Sequence, residues 1–187
     1  MMGARRGHFR LESGHHGDLW LELDALFLRP ARLRPAITSL AKRLAGHGVD
    51  MVCGPLSGGA FVAQMIAIGL DAEFSYTERV VAPQADALYS ARYRLPDGIP
   101  VAGRRVAVVD DVVNAGSAVR ATLAALREGQ AEPVAIGALL VLGRPAAALA
   151  EDQGLALETV THLDNSLWKP QDCALCASGA PLEDLIA

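Results

Sequence analysis

The chain is poor in lysine, aromatic residues and cysteine. Its only lysines are Lys42 and Lys169, so the whole middle of the sequence has none, and aromatic residues make up 5% of 187 residues. Three cysteines, Cys53, Cys173 and Cys176, are too few and odd in number for a disulfide framework, which suits a reducing compartment and gives a cytoplasmic expectation. No apolar run approaches the roughly 20 residues that cross a bilayer. The basic start passes into His, Glu and Asp where a secretory signal would have its apolar core. A basic footprint is missing too: 17 Lys and Arg against 21 Asp and Glu leave a formal net charge of -4, which argues against nucleic acid as a partner. Small anions are not excluded.

What is present is a well-filled chain, 51% hydrophobic and 20% charged. It is long enough to bury about 70% of its unfolded surface in one domain, and no repeat, low-complexity tract or linker divides residues 1–187. In residues 30–45, Leu33, Ile37, Leu40, Ala41 and Leu44 recur at helical spacing before Gly46 and Gly48, which predicts an amphipathic helix. Residues 49–53 read as a strand, 54–59 as a glycine turn and 60–70 as a helix. The unit returns as strand 106–109, turn 110–117 and helix 118–128. It comes again as strand 134–142, turn 143–145 and helix 146–153, before a last strand at 155–161. Unbroken apolar strands alternating with helices predict an α/β fold, an open twisted mainly parallel sheet flanked by helices. Ligands bind such sheets beyond the carboxyl ends of the strands, so residues 54–59, residues 110–117 and Arg144 are expected to converge. Residues 77–103 have no strong period and contain Pro83, Pro96, Gly98 and Pro100, which predicts a mobile loop or a hairpin.

The chemistry concentrates after strand 106–109, in Asp110-Asp111-Val-Val-Asn114-Ala115-Gly116-Ser117-Ala118. Backbone N–H groups of Asn114 to Ala118, aided by the dipole of the helix they open, form a nest for a phosphate, and Gly116 lets the backbone come close. Adjacent acids on a strand point to opposite sides, so one of Asp110 and Asp111 faces a diol while the other orients the loop or contacts a magnesium shell. Cys173 and Cys176 form a single CxxC. With no second pair nearby it reads as a small structural turn rather than a metal site, His162 being the nearest further ligand.

Four apolar residues, two acids, two apolar residues and a small Gly-Ser turn resemble the phosphoribosyl pyrophosphate signature of type I phosphoribosyltransferases. The resemblance extends over most of the chain and is closest to bacterial orotate phosphoribosyltransferases. The opening Gly7-His-Phe-Arg-Leu-Glu-Ser-Gly-His-His16 is similar to that subgroup's entry segment GxFxLxSGxxS, with Gly17 in place of the usual serine. The run from Cys53 to Gly59 is similar to the pyrophosphate loop, and the tail from Cys173 to Leu182 to the ending of some bacterial members.

The resemblance implies a type I phosphoribosyltransferase fold with a small hood built from residues 1–29 and the C-terminal tail 163–187. It also implies a mobile catalytic loop within 77–103 and transfer of ribose 5-phosphate from phosphoribosyl pyrophosphate to orotate, with Mg2+, in a homodimer. The implied phosphoribosyl pyrophosphate site is Asn114, Ala115, Gly116, Ser117 and Ala118 with Leu56, Ser57, Gly58 and Gly59. The base would meet Arg144, Trp20 and Asn114, a guanidinium suiting the orotate carboxylate. Asp110 and Asp111 would anchor the ribose and the metal. The subgroup's loop lysines are absent, so Arg79, Arg92 and Arg94 are the cations available for departing pyrophosphate. Two alternatives stay open: a purine-base phosphoribosyltransferase, and a non-catalytic sensor of phosphoribosyl pyrophosphate.

Overall fold

A computed structural model describes residues 3–11, 13–80 and 92–185. The main sheet is built from β3 (Met51–Pro55), β4 (Glu73–Val80), β5 (Arg92–Arg94), β6 (Arg105–Val113), β7 (Glu132–Leu142) and β8 (Ala156–Leu163), in the order β5-β4-β3-β6-β7-β8. All neighbours are parallel except the antiparallel β4–β5 pair. The expected α/β sheet is therefore present, with one antiparallel edge.

Helices cover both faces because β6 alternates. Val106 and Val108 pack with Leu123 and Leu126 of α4 (Ser117–Glu128) and Leu149 of α5 (Pro145–Gln153). Ala107 and Val109 pack on the other side with Ile37, Leu40 and Leu44 of α2 (Arg34–Leu44) and Val62 and Ile66 of α3 (Gly58–Leu70). Each fully buried Leu or Ile in these two layers contributes about 1.5–3 kcal/mol of transfer free energy. The helix read over 30–45 begins as a 3-10 turn, Pro30–Leu33, and becomes α-helical at Arg34.

Two expectations are corrected. The turn read over 110–117 begins later, since β6 runs on through both acids to Val113. Both carboxylates accept from the next backbone N–H, Asp111 N at 3.0 Å and Val112 N at 2.8 Å, a local bond that lets acids occupy a buried strand end. The span 77–103 begins inside a strand, because β4 already starts at Glu73. It forms a hairpin with β5 in which Glu78 faces Arg94, Arg79 faces Tyr93 and Val80 faces Arg92. The catalytic loop expected within that span falls largely on residues 81–91, outside the described residues.

The two chain ends build a second sheet, β10-β1-β2-β9, from β1 (Gly3–Arg10), β2 (His16–Glu22), β9 (Leu167–Trp168) and β10 (Glu183–Asp184). A short α1 (Asp24–Phe27) follows β2, and α6 (Ala174–Ala177) lies between the tail strands. Leu19 of β2 packs on Leu140 and Leu142 at the carboxyl end of β7, with Leu21 and Val112 beside them, which seats this small sheet over the strand ends.

Candidate active site

A cleft of about 600 Å3 opens where the small sheet meets the carboxyl ends of β3 and β6. Its floor contains Leu56, Ser57 and Gly58 at the start of α3 and all of Asn114, Ala115, Gly116, Ser117 and Ala118 at the start of α4. Two helix N-termini thus face one space, and neither helix has a side-chain cap. First-turn N–H groups have no acceptor inside their own helix and carry the positive end of its dipole, so both ends are suited to anions.

Glycine is called for at two of these points, by the backbone at one and by the closeness of a carboxylate at the other. Gly116 has φ +75°, and a Cβ there would lie 2.9 Å from Leu149 Cδ2. A Cβ on Gly58 would sit 2.3 Å from Asp111 Oδ2, so the loop before α3 and the acidic strand end touch directly. The Leu56 N–H donates to the Thr77 carbonyl at 2.9 Å, and beneath it the buried Thr77 and Thr122 hydroxyls share a hydrogen bond of 2.7 Å. Asp110 and Asp111 are both buried and both line the cleft. Asn165 Nδ2 donates to Asn114 Oδ1 at 3.2 Å, tying the α4 turn to the segment after β8.

Among the described residues that line the cleft, the charged side chains are Glu22, Asp110 and Asp111. The wall is therefore acidic, while the ends of the two helices are positive. Above them Leu19, Trp20, Leu21 and Leu23 of the hood, with Phe27 and Phe61, form an apolar ceiling, and the Phe27 and Phe61 rings lie 5.2 Å apart.

The sequence-derived residues divide accordingly. Leu56, Ser57, Gly58, Asp110, Asp111, Asn114 to Ala118 and Trp20 come together; Gly59 is buried just behind, where a Cβ would meet Asp110 Oδ1 at 2.7 Å. Arg144 does not join them. It is exposed at the N-cap of α5, after the left-handed turn at Gly143. Arg92 and Arg94 flank Tyr93, which lines the cleft, so strand alternation turns both guanidiniums away, and Arg94 donates to Glu78 at 2.8 Å. Arg79 stands opposite Tyr93 in the register and is exposed on the face that Tyr93 takes. Sequence reasoning missed Tyr93, Phe27, Phe61 and Ser13. For Tyr93 the signal was there, an aromatic residue alternating with arginines in a hairpin.

The family model for the phosphoribosyl transferase domain matches residues 27–172, more than three quarters of the chain. The chain belongs to the phosphoribosyltransferase family. An orotate phosphoribosyltransferase from Thermotoga maritima is 32% identical over 178 residues, 95% of this chain and 88% of that protein. The crystal structure of orotate phosphoribosyltransferase from Aeropyrum pernix superposes with a TM-score of 0.68 at 24% identity, covering 86% of this chain and 88% of that one. Adenine phosphoribosyltransferase from Rhodothermus marinus shares the fold as well, with a TM-score of 0.62 at 22% identity over 77% of this chain and 86% of that one. In this phosphoribosyltransferase the acidic strand end and the following turn line one cleft. No helix among the described residues is long and apolar enough to cross a membrane.

Proposed function

We propose that this phosphoribosyltransferase moves ribose 5-phosphate from phosphoribosyl pyrophosphate to orotate, giving orotidine 5'-phosphate and pyrophosphate. The observation that carries the reading is the pairing of an uncapped, glycine-opened α4 turn with two buried carboxylates in one cleft. Relatives about 30% identical over most of the chain bear the orotate name.

In the reaction the bond from the anomeric carbon to pyrophosphate breaks, a bond to the base nitrogen forms, and positive charge grows on the ribose ring. The turn Asn114 to Ala118 holds the 5-phosphate, and Asp110 and Asp111 hold the ribose and oppose its developing charge. The amides around Leu56 to Gly58 receive the leaving pyrophosphate. Trp20 and its leucine neighbours offer a flat base an apolar wall and keep water off the reactive sugar. Carboxylate oxygens are the hard donors that Mg2+ takes, and a cleft whose charged side chains among the described residues are all acidic has need of a cation to admit so anionic a substrate. Magnesium would be held by Asp110 and Asp111, mostly through water and the substrate's own oxygens, and would neutralise charge on the pyrophosphate. Arg79 is the hairpin arginine best placed to assist.

The reading includes a cytoplasmic homodimer. The dimer rests on the family resemblance alone, and light scattering on the purified chain measures it. Pyrophosphate release from phosphoribosyl pyrophosphate, followed with orotate, uracil, xanthine and adenine in turn, with and without Mg2+, tests the activity. Turnover with orotate and Mg2+ alone is expected. Preference for a purine, or binding of phosphoribosyl pyrophosphate without turnover of any base, would overturn it.

A further inference from the structure

Cys173 and Cys176 meet two histidines from the other end of the chain. His8 lies on β1 and His16 on β2, and the pairing of Arg10 with His16 puts the imidazoles diagonally across one face of the hairpin. One ligand-capable atom from each of the four residues lies within 4.8 Å of all the others. His8 Nε2 is 3.3 Å from His16 Nδ1, 3.3 Å from Cys173 Sγ and 3.7 Å from Cys176 Sγ, and His16 Nδ1 is 3.3 Å from Cys176 Sγ. His162, the further ligand expected from sequence, is instead engaged with the Gly143 carbonyl at 2.9 Å.

Hydrogen bonding alone does not account for this arrangement. An imidazole nitrogen has either one proton or one lone pair, yet His8 Nε2 would need to serve three partners at once. A central cation satisfies all of them. Around a tetrahedral zinc with bonds of about 2.05 Å to nitrogen and about 2.3 Å to sulfur, nitrogens are separated by about 3.3 Å and nitrogen from sulfur by about 3.6 Å. The separations in the cluster scatter around these values by a few tenths of an ångström.

The surroundings fit the same reading. His8 Nδ1 lies 3.0 Å from the Ala180 carbonyl, so its N–H donates there and the Nε2 lone pair is directed into the cluster. The Cys176 N–H donates to Cys173 Sγ at 3.5 Å, across the turn that opens α6. His8, His16 and Cys173 are buried, and Cys176 closes the outer side.

We propose that His8, His16, Cys173 and Cys176 form a structural zinc site that fastens the C-terminal tail to the hood hairpin. Four protein ligands leave no open position for a reacting molecule. None of the four lines the cleft, so the site stands whether or not the cleft transfers phosphoribose to orotate.

Untagged protein prepared with zinc should hold one zinc per chain by elemental analysis. After zinc removal, one equivalent of Co2+ should give the intense visible bands of a tetrahedral ion and a near-ultraviolet thiolate charge-transfer band, both abolished by added Zn2+. Cys176→Ser should weaken cobalt binding by more than the about 10–100-fold that a lost supporting contact costs, while Cys53→Ala leaves the spectrum unchanged. Wild-type protein that takes up no Co2+, or takes it up with the weak bands of an octahedral oxygen site, overturns the proposal. So does an unaltered charge-transfer band in Cys176→Ser. Should that variant fail to fold, the wild-type cobalt spectrum still decides, because its bands report the ligand class directly.

Discussion

Gly58→Ala separates the needs of the helix from those of the site. Gly58 is the first residue of α3 and has no positive φ, so alanine is compatible with the backbone and would by propensity stabilise the helix by up to about 1 kcal/mol. The new Cβ, however, would lie 2.3 Å from Asp111 Oδ2 and 2.6 Å from Asp111 Cγ. Ordinary contact at 3.4 Å requires the carboxylate to retreat by about 1.1 Å. Overpacking of this kind costs about 1–3 kcal/mol, which exceeds the helix gain by about 0–2 kcal/mol, so Tm should fall by no more than about 8 °C for a domain of this size. Function should suffer more, since a displacement of about 1 Å in a positioned group can cost about 10²-fold in rate. The expected result is a folded variant whose kcat/KM for phosphoribosyl pyrophosphate falls by about 10²-fold, measured by initial rates beside thermal unfolding. Gly69→Ala is the control: it is in the same helix, and its Cβ would meet only Ala41 Cβ at 3.6 Å, so activity should hold. A folded Gly58→Ala with wild-type kcat/KM would refute the claim that contact between the α3 loop and Asp111 sets the site.

Asp111→Asn keeps the shape and removes the charge; calorimetry should show phosphoribosyl pyrophosphate binding weakened by about 10–100-fold, as for a lost hydrogen bond to a charged group, and unchanged affinity would remove the residue from the site. Burial pushes the Cys53 thiol up from 9.0 to about 12, the Ser75 hydroxyl opposing the shift in smaller measure. Cys53 should therefore resist iodoacetamide at pH 8 until the chain unfolds, and its contribution to stability, complete below pH 9, should fade between pH 9 and about 12 as only the unfolded thiol ionises. Mass spectrometry after native and denaturing alkylation checks the first point, and denaturant titration across that pH range the second.

Most of the main sheet was legible because its strands are buried on both faces and so read as apolar runs, while its helices carry the 3.6-residue period. β4 escaped notice for the opposite reason. In Glu73-Phe-Ser-Tyr-Thr-Glu-Arg-Val80 the apolar signal is broken by Ser75 and Thr77, which are buried all the same, and by charges that pair across the hairpin or with Arg104. The strand end at Asp110 and Asp111 was read as turn because acids are depleted in strands, and only the local N–H bonds to their side chains make that conformation economical. The uncapped turn that opens α4 was legible in full, since everything it needs lies within five consecutive residues. Arg144 was not, because one residue beyond a strand leaves the direction of a long side chain undecided until the turn at Gly143 is known.

The hood shows the limit more sharply. Its strands come from opposite ends of the chain and two of them are only two residues long, so no window of sequence contains the sheet. The same separation hid the partners of the CxxC: local spacing rules look for a second pair nearby, whereas His8 precedes Cys173 by 165 positions. Physical need points to those histidines nonetheless. Without a cation the tail rests on two short pairings, on hydrogen bonds such as those of Ser166 N–H to Asp18 and His8 to the Ala180 carbonyl, and on exposed ion pairs such as Arg5–Glu183 and Arg10–Asp184, each ion pair worth about 0–1 kcal/mol. Those contacts are weak for a hood that must keep Trp20 and Leu19 over the cleft. A metal crosslink between hairpin and tail supplies the rigidity that so small a sheet cannot draw from its own core.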